Sequence, residues 1–141
     1  MTDAAYRVQE WLNRGYPLSI KLEAKKNHLL AKDCRGGEPS EIQKTKADGN
    51  REEIREVEKS YLRIEIENMQ AELDKIDFET DIILKHLDDG FQYSVLYSRF
   101  IRRASWDKIS EETDRSKSYL YKVRRDALEI LGRYWKERES A

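Results

Sequence analysis

Neither of the chain's two prolines falls within residues 51–87, and that stretch holds no glycine, so nothing in it forbids one unbroken helix. Apolar residues recur along it in two stripes. Ile54, Val57, Tyr61 and Ile64 make one; Leu62, Ile66, Met69, Leu73, Ile76, Ile83 and Leu87 make the other, mostly in the four-three alternation of a coiled coil. Asn50 is placed to cap this helix, and Glu52 and Glu53 stand in its first turn, where the helix dipole favours acid. A helix with two apolar stripes needs two neighbours. An N-terminal helix folded back antiparallel supplies one; a second copy of the chain is one candidate for the other, and packing of both stripes within the hairpin is the alternative. Residues 77–79 are a candidate hinge. Composition agrees with long, partly solvated helices rather than one thick core, since 39% of residues are charged against about 25% in ordinary domains.

Residues 4–32 are the natural partner helix, with Trp11, Leu18, Leu22 and Leu29 on one stripe. Gly15, Tyr16 and Pro17 interrupt it, because proline restricts the residue before it and lacks a donor; a kink or two helices follow. Residues 33–50 carry three glycines, one proline and almost nothing apolar, so a mobile loop is expected there. The Gly36-Gly37 pair is no phosphate cradle: no strand precedes it and no Lys-Ser/Thr follows.

Asp88, Asp89 and Gly90 are expected to end the long helix. Beyond them, residues 91–135 hold nine of the chain's 14 aromatics, which places the compact core in that half. Val95, Leu96, Phe100, Ile101 and Trp106 are its candidate members, and Trp135 is expected to close the last helix against it. Ser105 suits the cap of a two-turn helix that presents Trp106, Ile109 and Ser110 on one face and stops near Thr113. Asp114 tolerates left-handed backbone angles, and Ser116 is placed to cap a second helix. In that helix Leu120, Val123, Ala127, Leu128 and Leu131 fall inward, which turns Ser118, Tyr121, Lys122 and Arg125 outward. Residues 115–125 contain five basic side chains and no acid, in a chain of 27 basic and 28 acidic residues. Helix, turn and basic helix together form a helix-turn-helix pattern. Lys117, Lys122, Arg124 and Arg125 are the kind of residue that neutralises phosphates and releases counterions, and Ser118, Tyr119, Tyr121 and Lys122 the kind that reaches base edges.

The pattern W-x-x-I-[small], a turn, then S-x-x-x-L-x-x-V-x-x-x-A-L, at Trp106, Ile109, Ser110, Ser116, Leu120, Val123, Ala127 and Leu128, resembles the promoter-reading half of sigma-factor region 4. The preceding LDDGFQYSVLYSRFI, residues 87–101, is similar to the helix before it. Within that class the layout is most similar to small phage-encoded, sigma-like late-transcription regulators of the ArpU/RinA type, over residues 80–131. It departs from them in the turn, where the family usually has Leu, Gly and an apolar residue and this chain has Thr113, Asp114 and Arg115. The resemblance implies a protein that binds a promoter or operator and contacts host RNA polymerase to activate late phage genes. By position it implies that Lys117, Ser118, Tyr119, Tyr121 and Lys122 face the major groove, and that Arg102, Arg103 and Arg125 grip backbone. Arg115 and Arg124 complete the basic set.

The resulting expectation is an all-α chain in two parts: residues 1–78 a coiled-coil-like hairpin with the loop 33–50, and residues 79–141 a helix-turn-helix domain resembling sigma region 4. Double-stranded DNA, host RNA polymerase and a second copy through the long helix are the expected partners. No nucleophile with a base, paired carboxylate cleft or phosphate cradle is legible, so neither an enzyme nor a cofactor is expected. A lone Cys34 excludes an internal disulfide, and His28, His86 and the Asp88-Asp89 pair offer too few ligands for a metal. No apolar run approaches the roughly 18 residues of a membrane span, and the N-terminus lacks a basic region followed by an apolar one. A cytoplasmic protein of the bacterial host cell is therefore expected. Two other readings stay open. One is a phage terminase small subunit, whose DNA-binding unit usually comes first rather than last; the other is a helical adaptor that binds RNA polymerase without touching DNA.

Overall fold

The computed structural model describes residues 1–35 and 46–140. Every regular element among them is helical, as expected: α1 (Asp3–Leu12), α2 (Tyr16–Arg35), α3 (Lys46–Leu84), α4 (Gly90–Leu96), α5 (Trp106–Thr113) and α6 (Lys117–Ser140). A 3-10 turn, Asn13–Gly15, makes the expected break before Pro17, and a π-helical turn, Tyr97–Ile101, continues α4. Three boundaries differ from expectation. α2 runs to Arg35 and α3 already begins at Lys46, so Asn50 lies inside the helix rather than at its start; the remainder of the expected loop, 36–45, lies outside the described residues. α3 passes through 77–79 without a hinge. It stops at Leu84, before the Asp88-Asp89-Gly90 signal, and Asp89 acts at the start of the next element instead: its Oδ1 accepts the N–H groups of Phe91 (2.8 Å) and Gln92 (3.0 Å) and caps α4.

The chain divides into two compact units, Pro17–Asp74 and the pair of segments Met1–Tyr16 and Lys75–Ala141. The first is an antiparallel hairpin. Lys25 pairs with Glu65 (3.0 Å), whereas Lys32 and Asp33, further along α2, pair with Glu58 and Lys59 (3.1 Å for the latter), earlier on α3, so the two helices run antiparallel. Lys59 is buried, but the carboxylates of all three pairs are about half exposed and screened by water, so the pairs stabilise little and the hairpin rests on apolar burial. Leu22, Leu62 and Leu73 are buried, whereas Ile54, Val57, Tyr61 and Ile64 are exposed. Among the described residues, therefore, only one of the two expected stripes on α3 is covered.

In the second unit α1 lies along α6, which corrects the expected division between residues 78 and 79. Residues 1–16 were grouped with the hairpin on sequence; instead they complete the C-terminal core. Thr2 caps α1 by accepting the Ala5 N–H (3.2 Å), and its own N–H and hydroxyl donate to the Glu129 carboxylate (2.8 and 2.9 Å), which ties the start of α1 to α6. Ala5, Val8 and Leu12 then fall on one buried face against Ala127, Leu128 and Leu131, with Leu84, Leu96 and Phe100 in the same cluster. Trp11 meets Trp135 with ring centroids 5.1 Å apart. Arg14 stacks 3.6 Å from the centre of the Trp11 ring and donates to Thr80 Oγ1 (3.0 Å) and the Ile76 carbonyl (3.3 Å). A second cluster, Val95, Ala104, Ile109, Leu120 and Val123, fills the space beneath α5, with Trp106 half-buried at its edge as expected. Tyr93 on α4 donates to Asp81 Oδ1 at the end of α3 (2.5 Å).

Gly132 sets how closely α1 and α6 approach. A Cβ there would stand 3.0 Å from the Ala5 amide nitrogen and 3.2 Å from the Ala4 carbonyl carbon, both backbone atoms that cannot swing aside. In an open helix Gly→Ala stabilises by up to about 1 kcal/mol. Here overpacking costs about 1–3 kcal/mol, so Gly132→Ala is expected to lower the denaturant midpoint, and a raised midpoint would mean that α1 does not pack there. The hydrogen bond to Asp81 makes a second prediction, because it pushes the Tyr93 phenol up to about 12. A raised pKa is a contribution complete below the unfolded value of about 10 and lost as pH rises through the folded one. The ultraviolet difference between the native chain and Tyr93→Phe is expected to show this tyrosinate appearing near pH 12; its appearance near 10 would dismiss the bond.

Candidate nucleic-acid interface

The turn between α5 and α6 is held from both sides by short polar side chains. Ser105 Oγ accepts the Lys108 N–H (3.2 Å) and starts α5; Ser116 Oγ accepts the Tyr119 N–H (3.2 Å) and starts α6. Between them Asp114 adopts the left-handed conformation, φ 56° and ψ 40°, and its N–H bonds back to the Ser110 carbonyl. That is a backbone state glycine adopts without steric cost and aspartate tolerates. Ser110 Oγ donates to the Arg115 carbonyl (2.5 Å) and Thr113 Oγ1 to the Ile109 carbonyl (2.7 Å), which close the turn on itself. α6 therefore leaves α5 in one fixed direction.

Leu120, Val123, Ala127, Leu128 and Leu131 are all buried, so the opposite side of α6 is displayed in a set register. Ser118, Tyr119, Tyr121, Lys122 and Arg125 are exposed on it, and Arg115 is exposed in the turn before it. Among the described residues no carboxylate pairs with Lys122, Arg125 or Arg115. The Arg115 guanidinium lies 5.7 Å from the centre of the Tyr119 ring, whose other neighbour is Phe91, centroid to centroid 6.1 Å. These six of the ten expected residues form one continuous face.

The other four are engaged. Lys117 reaches back to Asp107 on α5 (2.8 Å), a hydrogen bond that holds its ammonium above the usual range. Arg102 makes two parallel bonds to Glu112, both 3.1 Å, which raise the guanidinium and hold the carboxyl below its ordinary value. Both pairs are exposed, so they are weak and a phosphate is able to replace the carboxylate. Arg103 is different. Its backbone is left-handed, φ 57°, and its largely buried guanidinium bonds Asp77 (2.7 Å) and the Ile101 carbonyl (2.7 Å). It joins the end of the π turn to α3 and is not presented for a backbone contact. Arg124 is half-buried between two rings, 5.4 Å from the centre of Trp106 and 5.3 Å from that of Tyr121. Its Nε is buried without a hydrogen-bond partner.

Two positioning residues were not legible in the sequence. Trp106 meets Tyr121 edge to face, centroids 5.3 Å apart at 86°, and with Arg124 fixes where the Tyr121 hydroxyl points. Arg99 supports Trp106 from the other direction at 5.2 Å while donating to the Ala104 carbonyl (3.1 Å). Residues 121 and 124 share a helix face, which a periodicity reading can find; the ring beneath them comes from α5 and cannot be found that way. No family model, curated protein or solved structure matches this chain. Among the described residues no three metal-ligating side chains come together, and no helix is long and apolar enough to cross a membrane.

The left-handed turn residue yields a direct test. Asp114→Val places a branched side chain where L-residues are disfavoured and is expected to cost about 1–2 kcal/mol, while Asp114→Gly, free of that penalty, is expected to match or exceed the native chain. Equal losses for both variants in chemical denaturation would mean that the turn does not require this conformation.

Proposed function

We propose that this chain is a sequence-specific DNA-binding transcriptional regulator whose reading element is the first two turns of α6. The observation that carries the reading is the allocation of charge and burial on that helix. Lys122 and Arg125 stand exposed and, among the described residues, without acidic partners beside Ser118 and Tyr121, on a helix whose opposite side is buried from Leu120 to Leu131. A cation without a partner contributes its full counterion release to DNA binding, and a helix immobilised by its core loses little entropy on docking. Tyr121, braced by Trp106 and Arg124, is a preorganised hydroxyl for a base edge. Residues near the start of α6 enter a major groove most deeply, which gives Ser118, Tyr121 and Lys122 the reading role and Arg125, a turn later, a phosphate. Arg115 and, after exchange of their carboxylates, Lys117 and Arg102 add backbone contacts.

The biological setting rests on the resemblance to phage-encoded sigma-like regulators: activation of late phage genes together with host RNA polymerase. Selection from a randomised duplex pool supplies the specific site for the decisive comparison. Against that site and a random duplex, Arg125→Ala is expected to weaken binding alike and to lower the salt slope by about one unit. Lys122→Ala and Tyr121→Phe, which keeps the stacked ring, are expected to cost roughly 1–3 kcal/mol more on the selected site than on the random one. Losses that are equal on the two duplexes for all three variants would reject this face as the sequence reader.

A further inference from the structure

The outer stripe of α3 lies within the hairpin unit and is uncovered among the described residues. Ile54, Val57, Tyr61 and Ile64 are each more than half exposed, and Asn68 and Ala71 continue the line at the same spacing. The steps are three, four, three, four and three residues, the repeat that keeps one face of a helix against another helix. Glu56, Val57, Ser60, Tyr61 and Ile64 border a shallow groove of about 380 Å³ along it. Four large apolar side chains in a row are more than scattered surface hydrophobics, and such rows mark docking sites.

The rims of the stripe decide what docks. In a helix pair the residues immediately flanking the seam face the flanks of the partner. Here they are Glu53, Glu58, Glu65, Glu67, Glu72 and Asp74, with Ser60 the one exception and no base. Lys32 and Lys25 of α2 neutralise Glu58 and Glu65. Among the described residues no cation pairs with Glu53, Glu67, Glu72 or Asp74, although Asp74 accepts a hydrogen bond from Gln70 (2.9 Å). A second copy, parallel or antiparallel, would set carboxylate against carboxylate along its length, which is destabilising. We infer that the seam receives an amphipathic helix of another protein, with an apolar stripe flanked by Lys or Arg. Asn68, a polar residue in an otherwise apolar seam, sets the register of that helix by favouring a polar residue opposite. This surface is independent of α6 and its proposed role.

The full-length chain tests this with two synthetic three-heptad helices that share an Ile and Leu seam with one Asn. One carries Lys at every flanking position, the other Glu. By sedimentation equilibrium the chain alone is expected to be a monomer. By fluorescence anisotropy it is expected to bind the Lys-flanked peptide and not the Glu-flanked one, with an affinity that falls about tenfold or more between low and moderate salt. Ile64→Asp, on an exposed position, is expected to weaken that binding at least about tenfold while leaving the circular dichroism unchanged. The double variant Glu67→Lys, Glu72→Lys is expected to shift preference toward the Glu-flanked peptide, and it decides the matter if Ile64→Asp disturbs the fold. Failure to bind the Lys-flanked peptide, or binding that neither variant alters, would overturn the inference. So would a dimer of the chain that Ile64→Asp dissolves, which would put a second copy on the seam.

Discussion

Five side chains on α6, from Leu120 to Leu131, are buried with almost no exposure, and the C-terminal unit is built around that single stripe. Burying a Leu or Val side chain stabilises by roughly 1.5–3 kcal/mol, so this stripe outweighs any of the exposed ion pairs around it. It serves two clusters at once. Leu120 and Val123 fill the space under α5, while Ala127, Leu128 and Leu131 meet α1 and the end of α3. The second group needs a close neighbour, and the small residues Ala5, Ala127 and Gly132 are what let α1 come near enough. Fixing the inner side of a helix also fixes the register of its outer side, so packing that makes no contact with a ligand still determines which side chains a ligand would meet.

The basic residues near α6 look equivalent in composition, yet their surroundings divide them into three kinds. Arg103, Arg99 and Arg124 act within the fold, through Asp77, the Ala104 carbonyl and the ring of Trp106. Lys117 and Arg102 are exposed but already hold carboxylates. Arg115, Lys122 and Arg125 have none among the described residues. Arg103 is costlier to detach than the exposed pairs, because its guanidinium and Asp77 are both largely shielded from water and the acid left behind would be partly desolvated and unpaired. On the proposed DNA-binding reading, a count of basic residues therefore overstates how many phosphates such a surface would neutralise, and the salt dependence would follow the third group more closely than the total.

α3 and α6 solve the problem of an amphipathic helix in opposite electrostatic senses. The outer face of α6 sets cations among tyrosines and serines, whereas the outer face of α3 sets apolar side chains between rows of carboxylates. The near-zero net charge of the chain conceals both. Each face excludes some partners by repulsion as well as admitting others, since an acidic rim opposes a second acidic helix and a basic face opposes a basic surface. On α3 the covered stripe is the one that completes the hairpin. The other stays exposed among the described residues.

Features that depend on a few neighbouring residues were determined by the sequence alone: the all-α class, the break before Pro17, the caps at Ser105 and Ser116, the left-handed Asp114 and the inward stripe of α6. Each is a matter of backbone sterics, a hydrogen bond within about one helical turn, or a period of 3.6 residues. Even there the ends of α3 escaped, because helix ends depend on competition between weak local signals: Asn50 was overrun by the helix and Asp89 was used by the next one. Tertiary structure alone decided that residues 1–16 belong with the C-terminal core, that Arg103 pairs with Asp77 rather than facing outward, and that the Trp106 ring braces Tyr121. Those contacts join residues from 15 to more than a hundred positions apart, and no periodicity encodes them. They arise because two helices bury complementary faces only after both have formed, and the charges left between those faces must then pair or turn to water.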